Sequence, residues 1–134
     1  MAIEFIDNSE EVLSALHDAV LRALERCGLE AEGYAKDLAP YITGRLRGDI
    51  SHKVSAGEQA MYVGTDTYYA PYVELGTGKY ATGGGGRPDP WVYQDGNGKW
   101  HHTHGQRAQP FLKPSVANHK QTYQNIINDE LKNA

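Results

Sequence analysis

The chain has 134 residues, a single cysteine and a formal net charge of −4, with 40% hydrophobic and 22% charged residues. That balance is too apolar for a disordered chain and sufficient for one buried core, and a lone cysteine excludes an intramolecular disulfide framework. The negative charge argues against nucleic acid as a specific partner, because backbone binding needs a basic footprint.

The charge is uneven along the chain. Residues 1–38 hold nine acids against three bases, and the remaining 96 residues hold eight acids against ten bases. Such an asymmetry suits subunits that meet acidic face to basic face. The chain does not open with a secretory leader pattern, and no apolar run reaches membrane-spanning length, so neither secretion nor membrane insertion is expected.

Asn8 followed by Glu11 reads as a capping box opening a helix, with Glu10 and Glu11 favourable at its N-terminus. Apolar positions then recur at Val12/Leu13, Leu16, Val20, Leu24, Cys27, Ala31, Tyr34/Ala35 and Leu38, one stripe of an amphipathic helix that Pro40 stops. A helix from Ser9 to Leu38 spans roughly 45 Å, against a diameter of about 36 Å for a compact globule of this size. It must therefore overhang, or break at Gly28 or Gly33. Cys27 lies on the apolar stripe and reads as a core residue.

Thr43 to Arg47 reads as a polar turn into a strand, where Ile50, His52 and Val54 alternate with Ser51, Lys53 and Ser55. Ala56-Gly57-Glu58-Gln59 turns the chain and Ala60-Met61-Tyr62-Val63 returns it as a hairpin. His52 falls on the apolar face, as a core histidine with satisfied hydrogen bonds.

The centre of the chain is Tyr68-Tyr69-Ala70-Pro71-Tyr72-Val73-Glu74-Leu75-Gly76-Thr77-Gly78. Pro71 suits the first turn of a short helix, and Gly76 stands where a C-cap wants positive φ. Tyrosine-rich turns either plug the core or face a partner, where tyrosine is enriched. Residues 76–90 follow as a glycine-rich loop, expected to be flexible in the free subunit. Its Gly78-Lys79 lacks the Ser or Thr of a phosphate loop, and Gly76-x-Gly78 opens no helix as a dinucleotide fingerprint would.

Trp91–Gln94, the turn Asp95-Gly96-Asn97-Gly98 and Lys99–His102 form a second hairpin. His101, His102 and His104 raise the alternative of a small metal-dependent hydrolase. A zinc site needs three or four ligands, however, and no further ligand stands at a recognisable spacing. No metal or cofactor is expected. Pro114 fits the first turn of a closing helix whose narrow apolar stripe is Val116, Tyr123, Ile127 and Leu131, with Lys120 in register and Ile126 beside it.

Several of these segments, in order, resemble the tail-completion or head–tail joining family of minor neck proteins in long-tailed bacteriophages and prophages. The resemblance rests on Thr43-Gly44-x-Leu46-Arg47-x-x-Ile50, Val63-Gly64-Thr65, Tyr69-Ala70-Pro71-Tyr72-Val73-Glu74-x-Gly76-Thr77, Trp91-Val92-Tyr93 and Thr103-x-Gly105-Gln106-x-Ala108-x-Pro110-Phe111-Leu112-x-Pro114. It spans about residues 34–117. Gln109 stands where the family more often has arginine, and Gly48-Asp49 replaces a commoner polar-serine pair.

The length suits one domain over residues 1–134, and the resemblance implies an α+β fold, with the long N-terminal helix and the C-terminal helix packed on a small, mostly antiparallel sheet from which the glycine-rich loop and a hairpin project. It implies a homo-oligomeric ring at the phage neck that contacts the head connector and the tail-tube or tail-terminator proteins, without catalysis. Assembly would take place in the host bacterial cytoplasm, and the product would reside in the virion. The contact residues expected are Tyr69, Pro71, Tyr72, Glu74, Gly76 and Thr77 in the central stretch. Arg87, Trp91, Tyr93, Trp100 and Phe111 are expected to join them from the second half. A third reading is a monomeric module that binds a host protein.

Overall fold

The computed structural model describes residues 3–41 and 44–134. The protein is α+β. Helix α1 (Ser9–Leu38) is followed by the short α2 (Arg45–Asp49), the hairpin β1 (Ile50–Ser55) and β2 (Ala60–Thr65), and α3 (Ala70–Leu75). A single 3-10 turn (Gly78–Tyr80) leads through the loop to the hairpin β3 (Trp91–Gln94) and β4 (Trp100–Thr103), then to α4 (Leu112–Ala117) and α5 (Lys120–Lys132). Both pairs are antiparallel and remain separate two-stranded sheets.

Helix α1 is unbroken over its thirty residues, so the expected conflict of lengths is resolved by overhang. Val12, Leu13 and Leu16 are exposed, and the first buried residue is Ala19. Asn8 occupies the N-cap but makes no side-chain cap bond. The expected capping box is replaced by Asp7, whose carboxylate accepts from the Ser9 amide at 3.0 Å and the Ser9 hydroxyl at 2.6 Å.

The buried seam of α1 is Ala19, Ala23, Cys27, Ala31 and Ala35, continued by Ala39 just beyond it. The expected stripe of larger residues is therefore only partly right, since Leu16 and Leu38 point outward. A four-residue step turns the buried direction by about 40° each time on a helix of 3.6 residues per turn. The seam thus winds around α1, past α5 at Cys27 and into the core at Ala35. Small side chains let these neighbours approach the helix backbone closely.

The core joins Ala35, Ala39, Leu46, Ile50, Ala70 and Phe111, with Val63, Tyr69, Val73 and Leu112 packed around them. Where a polar turn was expected, α2 forms and buries Leu46; the Thr43 part of that turn lies outside the described residues. The hairpin pairs Ile50 with Thr65 through Ser55 with Ala60, and its inward His52 is satisfied as expected. Its Nε2–H donates to Glu25 at 2.7 Å and its Nδ1–H to Glu32 at 2.8 Å.

The closing helix is two helices. The break at Asn118 and His119 lets the His119 ring stack on Tyr34 with centroids 3.5 Å apart. Ile126, not Leu131, is the buried residue of α5, and Val116 on α4 is exposed. Arg22 and Arg26 on α1 pair with Asp129 and Glu130 and hold α5 along the helix.

Candidate interaction face

The central stretch folds as its residues dictate. Pro71 sits in the first turn of α3, where its missing amide costs nothing, and Gly76 ends the helix at φ +80°. The helix is anchored on its inner side by buried Ala70 and half-buried Tyr69 and Val73. Tyr72 is 61% exposed, and Tyr68 and Leu75 are exposed beside it. Of the two roles open to these tyrosines, Tyr69 joins the core margin and Tyr72 faces outward.

Between them lies an open groove of about 450 Å³, lined by Tyr68, Tyr69, Tyr72 and Val73, with Arg45, Thr77 and Gln106 at its rim. That rim is held from both halves of the chain. The Thr77 amide donates to the Gln106 carbonyl at 2.9 Å, and the Gln106 amide donates to the Thr77 hydroxyl at 2.8 Å. A Cβ on Gly105 would stand 2.1 Å from the Thr77 carbonyl oxygen, and one on Gly78 would stand 2.2 Å from that of His104. Glycine is required at both positions by this backbone-to-backbone approach.

Glu74 is half-buried and turned to the chain's own backbone. Its carboxylate accepts from the Phe111, Leu112 and Lys113 amides at 2.7, 3.0 and 2.9 Å, so it caps α4 from another element. Phe111 is wholly buried and belongs to the core, which removes it from the expected contact set. Gly76 is also buried, within 3.0 Å of backbone atoms of Tyr80, Gln106 and Ala108 if a Cβ is added. It shapes the groove without forming its surface.

The remaining expected residues lie on the second hairpin and its approach. Trp91 pairs with Thr103 and Tyr93 with His101, whose ring stacks on that of Tyr93 with centroids 5.2 Å apart. Trp100 and Val92 are exposed on the opposite face, and Tyr93 is exposed on its own. The Arg87 guanidinium lies 5.6 Å from the Trp91 ring.

His101 is bonded to Asp95 at 2.7 Å, and the His102 and His104 rings meet edge to face at 5.3 Å. Among the described residues no three His, Cys, Asp or Glu side chains converge as a metal site would require. Burial pushes the Cys27 thiol pKa up, which leaves it an unreactive core residue.

The model of one protein family, described as bacteriophage HK97-gp10-like tail components, matches residues 3–76, more than half of the chain. The chain belongs to that family. No curated protein and no solved structure matches it.

The HK97-gp10-like match covers α1 through α3 and ends at Gly76, at the C-cap of the tyrosine-bearing helix. It overlaps the first half of the segments that carry the resemblance to neck proteins and extends it to the N-terminal arm. Membership makes this a phage tail component. Among the described residues no helix is long and apolar enough to cross a membrane.

Sequence reasoning missed Arg45 at the groove and the apolar arm before α1, where Ile3, Phe5 and Ile6 are all exposed. The signal for the arm was present: apolar residues standing upstream of a helix cap.

Proposed function

We propose that this tail component is a structural protein of the phage neck. It joins the head connector to the tail tube or tail terminator as a homo-oligomeric ring, with all 134 residues acting as one domain. It does so by surface contact, without catalysis; its family is one of structural tail components. It assembles in the host cytoplasm and stays in the virion. The observation that carries this reading is the outward tyrosine face of α3, presented on a helix whose other side is fixed in the core. An aromatic surface held rigidly and left uncovered is what a permanent partner contact requires.

The test contrasts two aromatic truncations. Tyr72→Ala should change unfolding free energy by no more than about 0.5 kcal/mol, as exposed substitutions do. In a complementation assay, however, the variant should fail to join heads to tails. Phe111→Ala should lose about 3–5 kcal/mol, as buried aromatic truncations do. Wild-type yields of infectious particles from Tyr72→Ala would refute the proposal.

A further inference from the structure

The two ends of α1 carry complementary surfaces that one chain cannot bring together. At the N-terminal end, Ile3, Phe5, Ile6 and Leu13 are exposed, with Phe5 89% accessible. The same end holds Glu4, Asp7, Glu10, Glu11 and Asp18 and no lysine or arginine before Arg22. At the other end lies the tyrosine groove, packed through Tyr69 and Val73 on the core that contains Ala35.

The groove has one charged lining residue, and it is basic. Arg45 is that residue, and among the described residues the carboxylate within 4 Å of it is Asp49 at 3.8 Å, an exposed and long pairing. Lys79 and Arg107 both lie over the Tyr80 ring, next to the groove residues Thr77 and Gln106. The Glu74 carboxylate, which would have opposed them, is engaged by the α4 amides.

Reach decides between one chain and two. From Ser9 to Ala35 along the helix is roughly 39 Å at 1.5 Å per residue. The arm of residues 3–8, fully extended, covers at most about 20 Å. An arm attached to a continuous helix therefore cannot reach its own groove.

We infer that the acidic, apolar arm and first turns of α1 in one copy dock into the tyrosine groove of a second copy, head to tail. Apolar side chains of the arm cover Tyr68 and Tyr72, and Glu10 and Glu11 meet Arg45. A contact between two different surfaces leaves one of each free at every step, and it closes only as a ring. This inference rests on the ring proposed above and names the surfaces that build it.

The test uses the full chain, followed by sedimentation over a range of concentrations and salt. The arm variant Phe5→Ser with Leu13→Ser and the groove variant Arg45→Glu with Tyr72→Ala should each keep the wild-type thermal melt. Each should associate roughly tenfold or more weakly, as loss of interface anchors does. Salt should weaken the wild-type assembly. Mixed one to one, the two variants should form a pair and stop there, because one intact arm and one intact groove remain. Glu10→Lys with Glu11→Lys should partly restore association to an Arg45→Glu chain.

An arm variant that assembles like wild type would overturn the inference and leave the ring standing. So would one that assembles normally but cannot join heads to tails, since the arm would then meet a different protein. A wild-type chain that stays monomeric at every concentration and in particles would refute the ring itself.

Discussion

His52 shows how one side chain ties the first hairpin to the long helix. Both ring nitrogens donate to carboxylates, Glu25 and Glu32, which stand on the helix face that also carries Gly28. Burial opposes the charge on His52, but the two carboxylates outweigh it and raise its pKa above the ordinary 6.5. Glu32 is held below its ordinary 4.5, chiefly by the hydrogen bond from His52. The raised histidine contributes stability that is complete below 6.5 and lost as pH rises through its folded pKa. The lowered Glu32 contributes stability present above 4.5 and lost as pH falls through its folded pKa. The melting-temperature difference between wild type and His52→Gln should therefore be largest between about pH 4.5 and 6.5 and shrink by pH 8.5. A difference flat across that range would disprove the coupling.

Glu74 is the other decisive single residue. Replacing it by alanine strands three amides at the start of α4, and should cost about 2 kcal/mol in urea unfolding, with Glu74→Gln costing less. Equal losses for the two variants would show that the carboxylate does not act as the cap. Glu74 could not be read as a cap from sequence, because the helix it serves begins 38 residues later.

At the scale of elements, α1 was legible in its limits and misread in its face. Its start at Ser9 and end at Leu38 agree with the Asn8 and Pro40 signals. Its buried seam is made of alanines and Cys27, because the strands and α5 come too close for leucine. The two glycines first read as weak points differ for the same reason. A Cβ on Gly28 would fall 2.3 Å from the His52 ring, whereas nothing lies within 4 Å of one on Gly33. Gly33→Ala should stabilise the chain by about 0.5–1 kcal/mol through helix propensity. Gly28→Ala should destabilise it by about 1–3 kcal/mol, since the ring must move off its two carboxylates. Thermal melts of the pair would settle the contrast, and matching shifts would contradict it. The second hairpin was legible almost to the residue, because Asp95 and Gly98 fix its turn locally: the Asp95 carboxylate accepts the Asn97 and Lys99 amides.

For the whole molecule, the division is between a packed body and the parts that leave it. The body is α1 from Ala19 onward, α2, the first hairpin, α3, α4 and α5; the arm of residues 3–8, the first turns of α1 and much of the β3–β4 hairpin are exposed. The glycine loop falls between the two. Its first part is tied down by Thr77 to Gln106 at 2.9 Å and Thr82 to Leu75 at 2.7 Å, and the Gly84 amide donates to Ala81 at 3.2 Å, while a Cβ on any of Gly83 to Gly85 would meet open space. Amide exchange should accordingly be fast at 3–8 and at 83 and 85, intermediate at 77–82 and slowest in Ile50–Thr65. Fast exchange throughout 76–90 would mean that the tie to residues 104–106 does not hold in the free subunit.

The sequence by itself determined whatever depends on near neighbours: the reach of α1, the two hairpins and their turns, and the proline and glycine that bound α3. These follow from periodicity, capping and backbone freedom, which act over a few residues. Tertiary structure decided the sides. It turned Tyr72 outward and Tyr69 inward, placed Phe111 in the core and set Glu74 on amides far along the chain. It also left Phe5 uncovered at one end of α1 and Arg45 at the other. Which face a short helix buries is settled by what packs across from it, and those neighbours come from distant parts of the chain.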